Sequence, residues 1–370
     1  MIYILAFLQL FQIIILSIFV YQSIRQRRLC NKMQPASDIN YDDYDVIIAA
    51  KEDYPIICKC INNVFSAGFR CIYLCIDGGS DNLFNRVKTD FPYVTLLRNE
   101  ISLGKIKSQI KCLNSSSKDN VLILDADIAL IKEELNGFIS YFLNSNVDFL
   151  CPYSLGLYTG DNTLLYSVAE TDRHMRQRVV RAGRDAYGVS NLSGYCMLAK
   201  RLKYIDIIDA DVIQDDVIAT INLLEKKYTV KTYHRTVCSE IERSTFKSYL
   251  MQKTRWTAGN ILLVRSYKKL FHSTSFVKAC AFSSSFLLWY WSLWIDFITF
   301  IFGFIYPLLI IFLVIEGIIK FVGLYCACKP QKRIFDIFLY ILVWPFFSTM
   351  CLLMTPYFFA GKNVEQKTRR

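Results

Sequence analysis

The chain has 370 residues, 53% of them apolar, 15% aromatic and only 20% charged, with a net charge of +11. An average soluble chain carries about 25% charged residues, so this composition excludes a disordered tail protein and argues against a wholly soluble one. Fifteen Gly and eight Pro exclude collagen-like and proline-rich chains. No basic cluster is interleaved with aromatics, so nucleic acid is not an expected partner.

The first apolar block is Met1 to Tyr21, uncharged and polar only at a few positions such as Gln9 and Gln12. At about 1.5 Å per residue it can cross a hydrocarbon core of about 30 Å. Arg25, Arg27, Arg28 and Lys32 follow it. A cleaved signal peptide carries its charge before the apolar run, so residues 1–24 read as an uncleaved transmembrane anchor. The positive-inside tendency places residue 25 onward in the cytosol. That bias also accounts for the net charge, which equally suits a membrane surface or a polyanionic substrate.

Residues 25–265 then alternate between strand and helix patterns. Tyr44 to Ala50, Cys71 to Ile76, Tyr93 to Leu97 and Val121 to Leu124 are short apolar runs that predict buried strands. Pro55 to Phe65, Leu83 to Asp90 and Leu103 to Asn114 predict the helices between them. The result is an α/β fold, a mostly parallel sheet covered by helices. Ligands of such sheets bind at the carboxyl ends of the strands. Glu52, Asp77 and the pair Asp125 and Asp127 all fall just after predicted strands.

Asp125-Ala126-Asp127 offers two hard oxygen donors able to hold Mg²⁺ or Mn²⁺ beside a diphosphate. Gly104-Lys105 opens a helix, where a lysine suits a phosphate. Leu192-Ser193-Gly194-Tyr195 is a tight turn before a strand-like run. Asp215-Asp216 opens a helical run, and two adjacent acids raise one pKa and supply a candidate general base. In Gln252-Lys253-Thr254-Arg255-Trp256, helical spacing puts Gln252, Arg255 and Trp256 on one face. The arginine offers a fork of donors to a diphosphate and the indole a platform for a sugar ring.

Residues 266–278 read as an interfacial segment and 279–360 as two or three transmembrane helices. The block Ala279 to Ile315 is broken only by Asp296 and suits a hairpin turning near Gly303 and Pro307. Trp289, Trp291 and Trp294 suit an interface. Lys329 to Arg333 reads as a cytosolic loop, and Ile334 to Ala360 as the last apolar stretch. Four spans are expected, although they leave the basic tail 361–370 outside; three spans with a cytosolic tail is the alternative. Thirteen cysteines show no zinc or disulfide spacing and read as reduced thiols of a cytosolic domain.

The order Glu52, Asp77-Gly78-Gly79-Ser80, Gly104-Lys105, Asp125-Ala126-Asp127, Leu192-Ser193-Gly194, Asp215-Asp216 and Gln252-Lys253-Thr254-Arg255-Trp256 resembles the membrane-embedded processive family 2 glycosyltransferases, the cellulose, chitin and hyaluronan synthases. The resemblance covers residues 44–260 and the flanking spans. It implies a GT-A fold, an inverting reaction and a nucleotide-sugar donor, UDP-linked by resemblance alone. It implies that Glu52 and Asp77 contact the nucleoside, and that Lys105 and Asp125 contact the diphosphate. Asp127 then binds the metal and Asp216 is the general base. Gln252, Arg255 and Trp256 hold the diphosphate, and Gly194 and Trp256 frame the acceptor, a polysaccharide or a lipid. Ala50-Lys51 replaces the Tyr-Asn usual before the glutamate, and Asp215 the usual Glu. So short a chain is expected to assemble its translocation channel with a second copy or a partner subunit. The alternative function is addition of a single sugar to a membrane lipid, as in ceramide glucosyltransferase-like enzymes.

Overall fold

A computed structural model describes residues 2–32, 39–51, 53–158, 163–209, 215–241, 245–262, 264–286, 292–328 and 334–360. In chain order, helix α1 (Ile2–Asn31) is followed by strand β1 (Tyr44–Ala50), α2 (Tyr54–Ser66), β2 (Ile72–Asp77), α3 (Asp81–Asp90), β3 (Thr95–Asn99), α4 (Lys105–Ser115), β4 (Asn120–Asp125), β5 (Ile128–Leu130), α5 (Lys132–Ser145) and β6 (Phe149–Leu157). Next come α6 (Thr163–His174), a π-helical turn (Met175–Arg181) and α7 (Ala182–Asp185). Then follow β7 (Cys196–Lys200), α8 (Arg201–Ile207), α9 (Asp215–Glu225) and β8 (Val230–Ile241). The chain continues through α10 (Phe246–Leu262), α11 (Val264–Ser273), α12 (Phe276–Phe286), α13 (Ser292–Gly303), α14 (Leu308–Cys328) and α15 (Ile334–Ala360).

The chain forms two compact units, an α/β unit of 32–157 and 191–241, and a helical unit of 1–31, 158–190 and 242–370. The α/β reading of 25–265 therefore contains an excursion: residues 158–190 group with the flanking helices. Their buried Leu165, Val168 and Val179 share a core with Leu16, Phe19 and Trp344, so apolar burial assigns them to the helical unit.

In the α/β unit, one sheet runs β3-β2-β1-β4-β7-β6-β8-β5. The pairs β1–β2, β2–β3 and β1–β4 are parallel, as the strand-helix alternation predicts. Beyond β4 the sheet is mixed: β4–β7, β6–β7 and β5–β8 are antiparallel, and β6–β8 is parallel. "Mostly parallel" thus holds for the amino-terminal half. Val46, Ile47, Leu74, Ile76, Leu122 and Ile123 are buried, because helices cover both faces of a parallel sheet. Ser80 caps α3 and Asp53 caps α2, each side chain accepting a backbone N–H of the first turn.

In the helical unit, three helices are long and apolar enough to cross a membrane: α1, α14 and α15 up to Pro356. The chain turns at 304–307, where the hairpin is expected to turn. Before the turn the structure describes α12 and α13, on either side of residues 287–291, which lie outside the described residues. The helix after it continues to Cys328, through Glu316 and Lys320. Three such helices are found among the described residues. Charge does not end α14 because its charges are paired. Lys320 Nζ lies 2.5 Å from Glu316 Oε1 and 3.6 Å from Asp296. Gln12 donates to Glu316 at 2.6 Å and to Asp296 at 2.9 Å, and Gln9 donates to Asp296 at 2.9 Å. The two polar residues noticed in α1 are therefore the donors for the buried acids of α13 and α14. Arg27 and Arg178 donate to the carbonyls of Cys326 and Ala327 at the carboxyl end of α14, where cations suit the helix dipole. Trp289, Trp291, the loop 329–333 and the tail 361–370 lie outside the described residues, as does the side chain of Trp294.

Candidate active site

Asp77, at the end of β2, is buried and receives four hydrogen bonds. Oδ1 accepts from Asn99 Nδ2 at 2.9 Å and from the Leu103 N–H at 2.8 Å. Oδ2 accepts from Ser102 Oγ at 2.8 Å and from the Gly104 N–H at 2.9 Å. Burial pushes its pKa up, but these donors outweigh it and hold the carboxyl below its usual value. Asp77 therefore organises the 101–105 segment that leads into α4. Gly78 follows with φ +73°, and a Cβ there would lie 2.6 Å from the Ser102 N. Only glycine permits that approach. Asn99, Ser102 and Thr220 (below) are site-building residues that the sequence reading missed. Asn99 is a buried amide at the end of β3; in the sequence it shows only as an amide shortly after a predicted strand.

The same segment delivers Lys105. Its Nζ lies 2.6 Å from Asp125 Oδ1 and donates to the Gly194 carbonyl at 2.7 Å. Asp125 closes β4, and its N–H donates to the Tyr195 carbonyl at 2.9 Å. A Cβ on Gly194 would lie 3.5 Å from Lys105 Nζ and 3.8 Å from the Asp216 Cβ. The structure thus brings Asp125, Lys105, Gly194 and Asp216 into one contiguous group at the carboxyl end of β4 and the start of α9. Thr220 ties the last two together: its hydroxyl donates to the Asp216 carbonyl at 2.7 Å and accepts from the Leu192 N–H at 3.0 Å. Asp216 Oδ1 accepts from the N–H of Val217 at 2.9 Å. Glu52 lies outside the described residues, as does the side chain of Asp215.

Asp127 is exposed two residues beyond Asp125. Both carboxylates are felt at Cys60, whose thiol is pushed up to about 12, mainly by burial and further by Asp127 and Asp125. Two carboxylates at a strand end form a hard, anionic donor set, and that chemistry fits Mg²⁺ or Mn²⁺. Among the described residues all thirteen cysteines are free thiols and most are buried.

In the helical unit, Gln252, Arg255 and Trp256 sit half-buried on α10, with Lys253 buried beside them. Lys253 Nζ donates to Asp172 Oδ2 at 2.7 Å, and Arg176 Nε donates to the same oxygen at 2.9 Å. Lys253 Nζ also lies 4.1 Å from the centre of the Trp256 ring, and the Arg176 guanidinium 4.8 Å from it. Burial opposes ionisation of Asp172, but Arg176 and Lys253 hold its pKa below the usual value. Burial, reinforced by Arg176, brings Lys253 down to about 7 against the pull of Asp172.

A mixed sheet with a strand-end carboxylate, a lysine at a helix start and an acid beside a glycine turn fits the class that the comparisons show: a glycosyltransferase of GT-A-like fold. The fold agrees with that of a mannosyltransferase from Pyrobaculum calidifontis solved with GDP-Man and Mn²⁺. That similarity covers 95% of this chain and 99% of the other, with a TM-score of 0.54 and 14% identity. The family described as "Glycosyl transferase family group 2" matches residues 120–355, and the chain belongs to it. The poly-beta-1,6-N-acetyl-D-glucosamine synthases of Staphylococcus aureus strains COL and N315 are each 25% identical over 271 residues. The match covers 68% of this chain and 63% of those proteins.

Proposed function

We propose that this chain is a membrane-anchored, inverting glycosyltransferase. It extends a polysaccharide from a nucleotide sugar, UDP-linked by the family resemblance, with its α/β unit in the cytosol. The observation that carries this reading is the continuous path Asp125–Lys105–Gly194–Asp216. It joins the carboxylate and lysine read as donor-side to the turn and acid read as acceptor-side, which supports this reading. The 25% identity to polymer synthases supports a polymeric N-acetylglucosamine product as the first to test.

Asp216 takes the proton of the acceptor hydroxyl. The hydroxyl oxygen bonds to the anomeric carbon as the bond from that carbon to the diphosphate oxygen breaks, and the nucleoside diphosphate leaves with the electron pair. Lys105 presents positive charge to that leaving group, and Gly194 leaves room for the acceptor. The family resemblance gives Gln252 and Arg255 a role toward the diphosphate and Trp256 a role as a flat apolar face for the acceptor sugar. Asp125 and Asp127 would hold Mg²⁺ or Mn²⁺, which when bound neutralises diphosphate charge.

The test uses purified protein in nanodiscs with Mg²⁺ or Mn²⁺ and a panel of radiolabelled nucleotide sugars, UDP-N-acetylglucosamine first. The expected result is high-molecular-weight product from one donor, lost in Asp216→Asn. A single-sugar lipid product would replace polymer synthesis with lipid glycosylation, and full activity in Asp216→Asn would remove the assigned base.

A further inference from the structure

Asp172 is fully buried on α6, about eighty residues before the Gln252–Trp256 segment, and no sequence motif marks it. It lies in a helix whose Glu170, Thr171, Arg173 and His174 are buried as well. One of its oxygens, Oδ2, accepts from Lys253 at 2.7 Å and from Arg176 at 2.9 Å, with the Tyr249 hydroxyl at 3.5 Å. The two basic groups gathered there are the same two that lie against the Trp256 ring, at 4.1 Å and 4.8 Å. Lys253 reaches the ring from three residues away on α10. Arg176 reaches it from the π-helical turn after α6, so two separate elements grip one indole. Trp256 itself is only half-buried.

We propose that Asp172 is a positioning residue for Trp256: through Lys253 and Arg176 it fixes the indole as a ready-made platform for the acceptor sugar. This rests on the reading of Trp256 as the acceptor platform. The physical reasoning has two steps. A lysine and an arginine repel each other and have long side chains with many rotamers, so neither would stay against a ring alone. A shared carboxylate oxygen offsets the repulsion and sets both side chains; the Arg176 guanidinium then holds the ring by cation–π attraction while Lys253 packs against it. A platform ordered in advance binds a sugar without the cost of ordering it at that moment.

The test has two readouts. The first is ¹⁹F NMR of the full chain in nanodiscs labelled with 5-fluorotryptophan. There are five tryptophans, and Trp256→Phe assigns the Trp256 resonance. Asp172→Asn is expected to shift or broaden that resonance while the others hold. Should Asp172→Asn not fold, Arg176→Gln carries the same test, with Arg176→Lys expected to retain more of the native signal. An unchanged Trp256 resonance in the folded variants overturns the proposal. The second readout is kinetic. Asp172→Asn is expected to raise the acceptor KM by about tenfold to a hundredfold, the cost of a misplaced binding group. It should also raise donor hydrolysis relative to transfer, with the donor KM held within about twofold. A donor KM that rises as much as the acceptor KM would point to a merely structural role and overturns the proposal. A Trp256→Ala variant with unchanged acceptor KM would instead refute the role given to Trp256, whatever Asp172 does to the resonance.

Discussion

Two buried carboxylates, one in each unit, are kept ionised by opposite means. Asp77 in the α/β unit has no cation beside it among its hydrogen-bond partners; it accepts two backbone N–H groups, an amide and a hydroxyl. Asp172 in the helical unit accepts from a lysine and an arginine. The difference follows from secondary structure. A loop at a strand end has unspent backbone donors, which can converge on a carboxylate. Inside helices every N–H beyond the first turn is already paired, so a buried acid must recruit charged side chains. Among the apolar helices the partners of Asp296 and Glu316 are likewise side chains rather than backbone, the amides of Gln9 and Gln12 and the ammonium of Lys320. Neutral donors fix a loop's shape, whereas charged partners fix the side chains of distant elements against one another.

Perturbations of the α/β unit should hit chemistry hardest. Asp216→Asn is expected to lower transfer by about 10²–10⁴-fold, the usual contribution of a general base, with the fold intact; single-turnover transfer from labelled donor measures this. Lys105→Met removes the group joining Asp125 to the Gly194 turn and should lower kcat by about 10²-fold, as loss of one charge-stabilising donor does. A change confined to KM would show that it only helps binding.

Stability variants sharpen the contrast further. Asp77→Asn puts an amide where four donors converge and should cost about 1–3 kcal/mol through unsatisfied groups. Gly78→Ala adds a Cβ 2.6 Å from the Ser102 N at φ +73° and should cost about 1–3 kcal/mol in strain. Chemical or thermal unfolding of the α/β signal checks both.

A further expected effect is a pH slope from the helical unit. Lys253 is held near about 7 in the fold against an ordinary 10.5. Between those values the unfolded chain binds a proton that the folded chain does not, so stability rises with pH across that window. Lys253→Met should flatten the rise in unfolding midpoint between pH 7 and pH 10. An undiminished slope in the variant would assign it to another group.

Local pattern determined the parallel half of the sheet. Val46 to Ile48, Leu74 to Ile76 and Val121 to Leu124 are apolar runs too short for helices, and the acids that end them fall where strands end. The same pattern marked Lys105 and Asp216 at helix starts, and α1 and α15 as spans. Only the tertiary structure decided the rest. The mixed half of the sheet, β5 to β8, follows from pairing between distant residues, which leaves no local period. Residues 158–190 join the helices because burial there depends on partners far along the chain. α14 runs through Glu316 and Lys320 because Gln12 and Asp296 meet them, a pairing invisible to any hydropathy window. Asp77 proved to be a loop organiser because Leu103 and Gly104 turn their N–H groups back to it. Asp172 could not be singled out at all, since the residues that give it meaning are Lys253 and Trp256, brought to it only by packing.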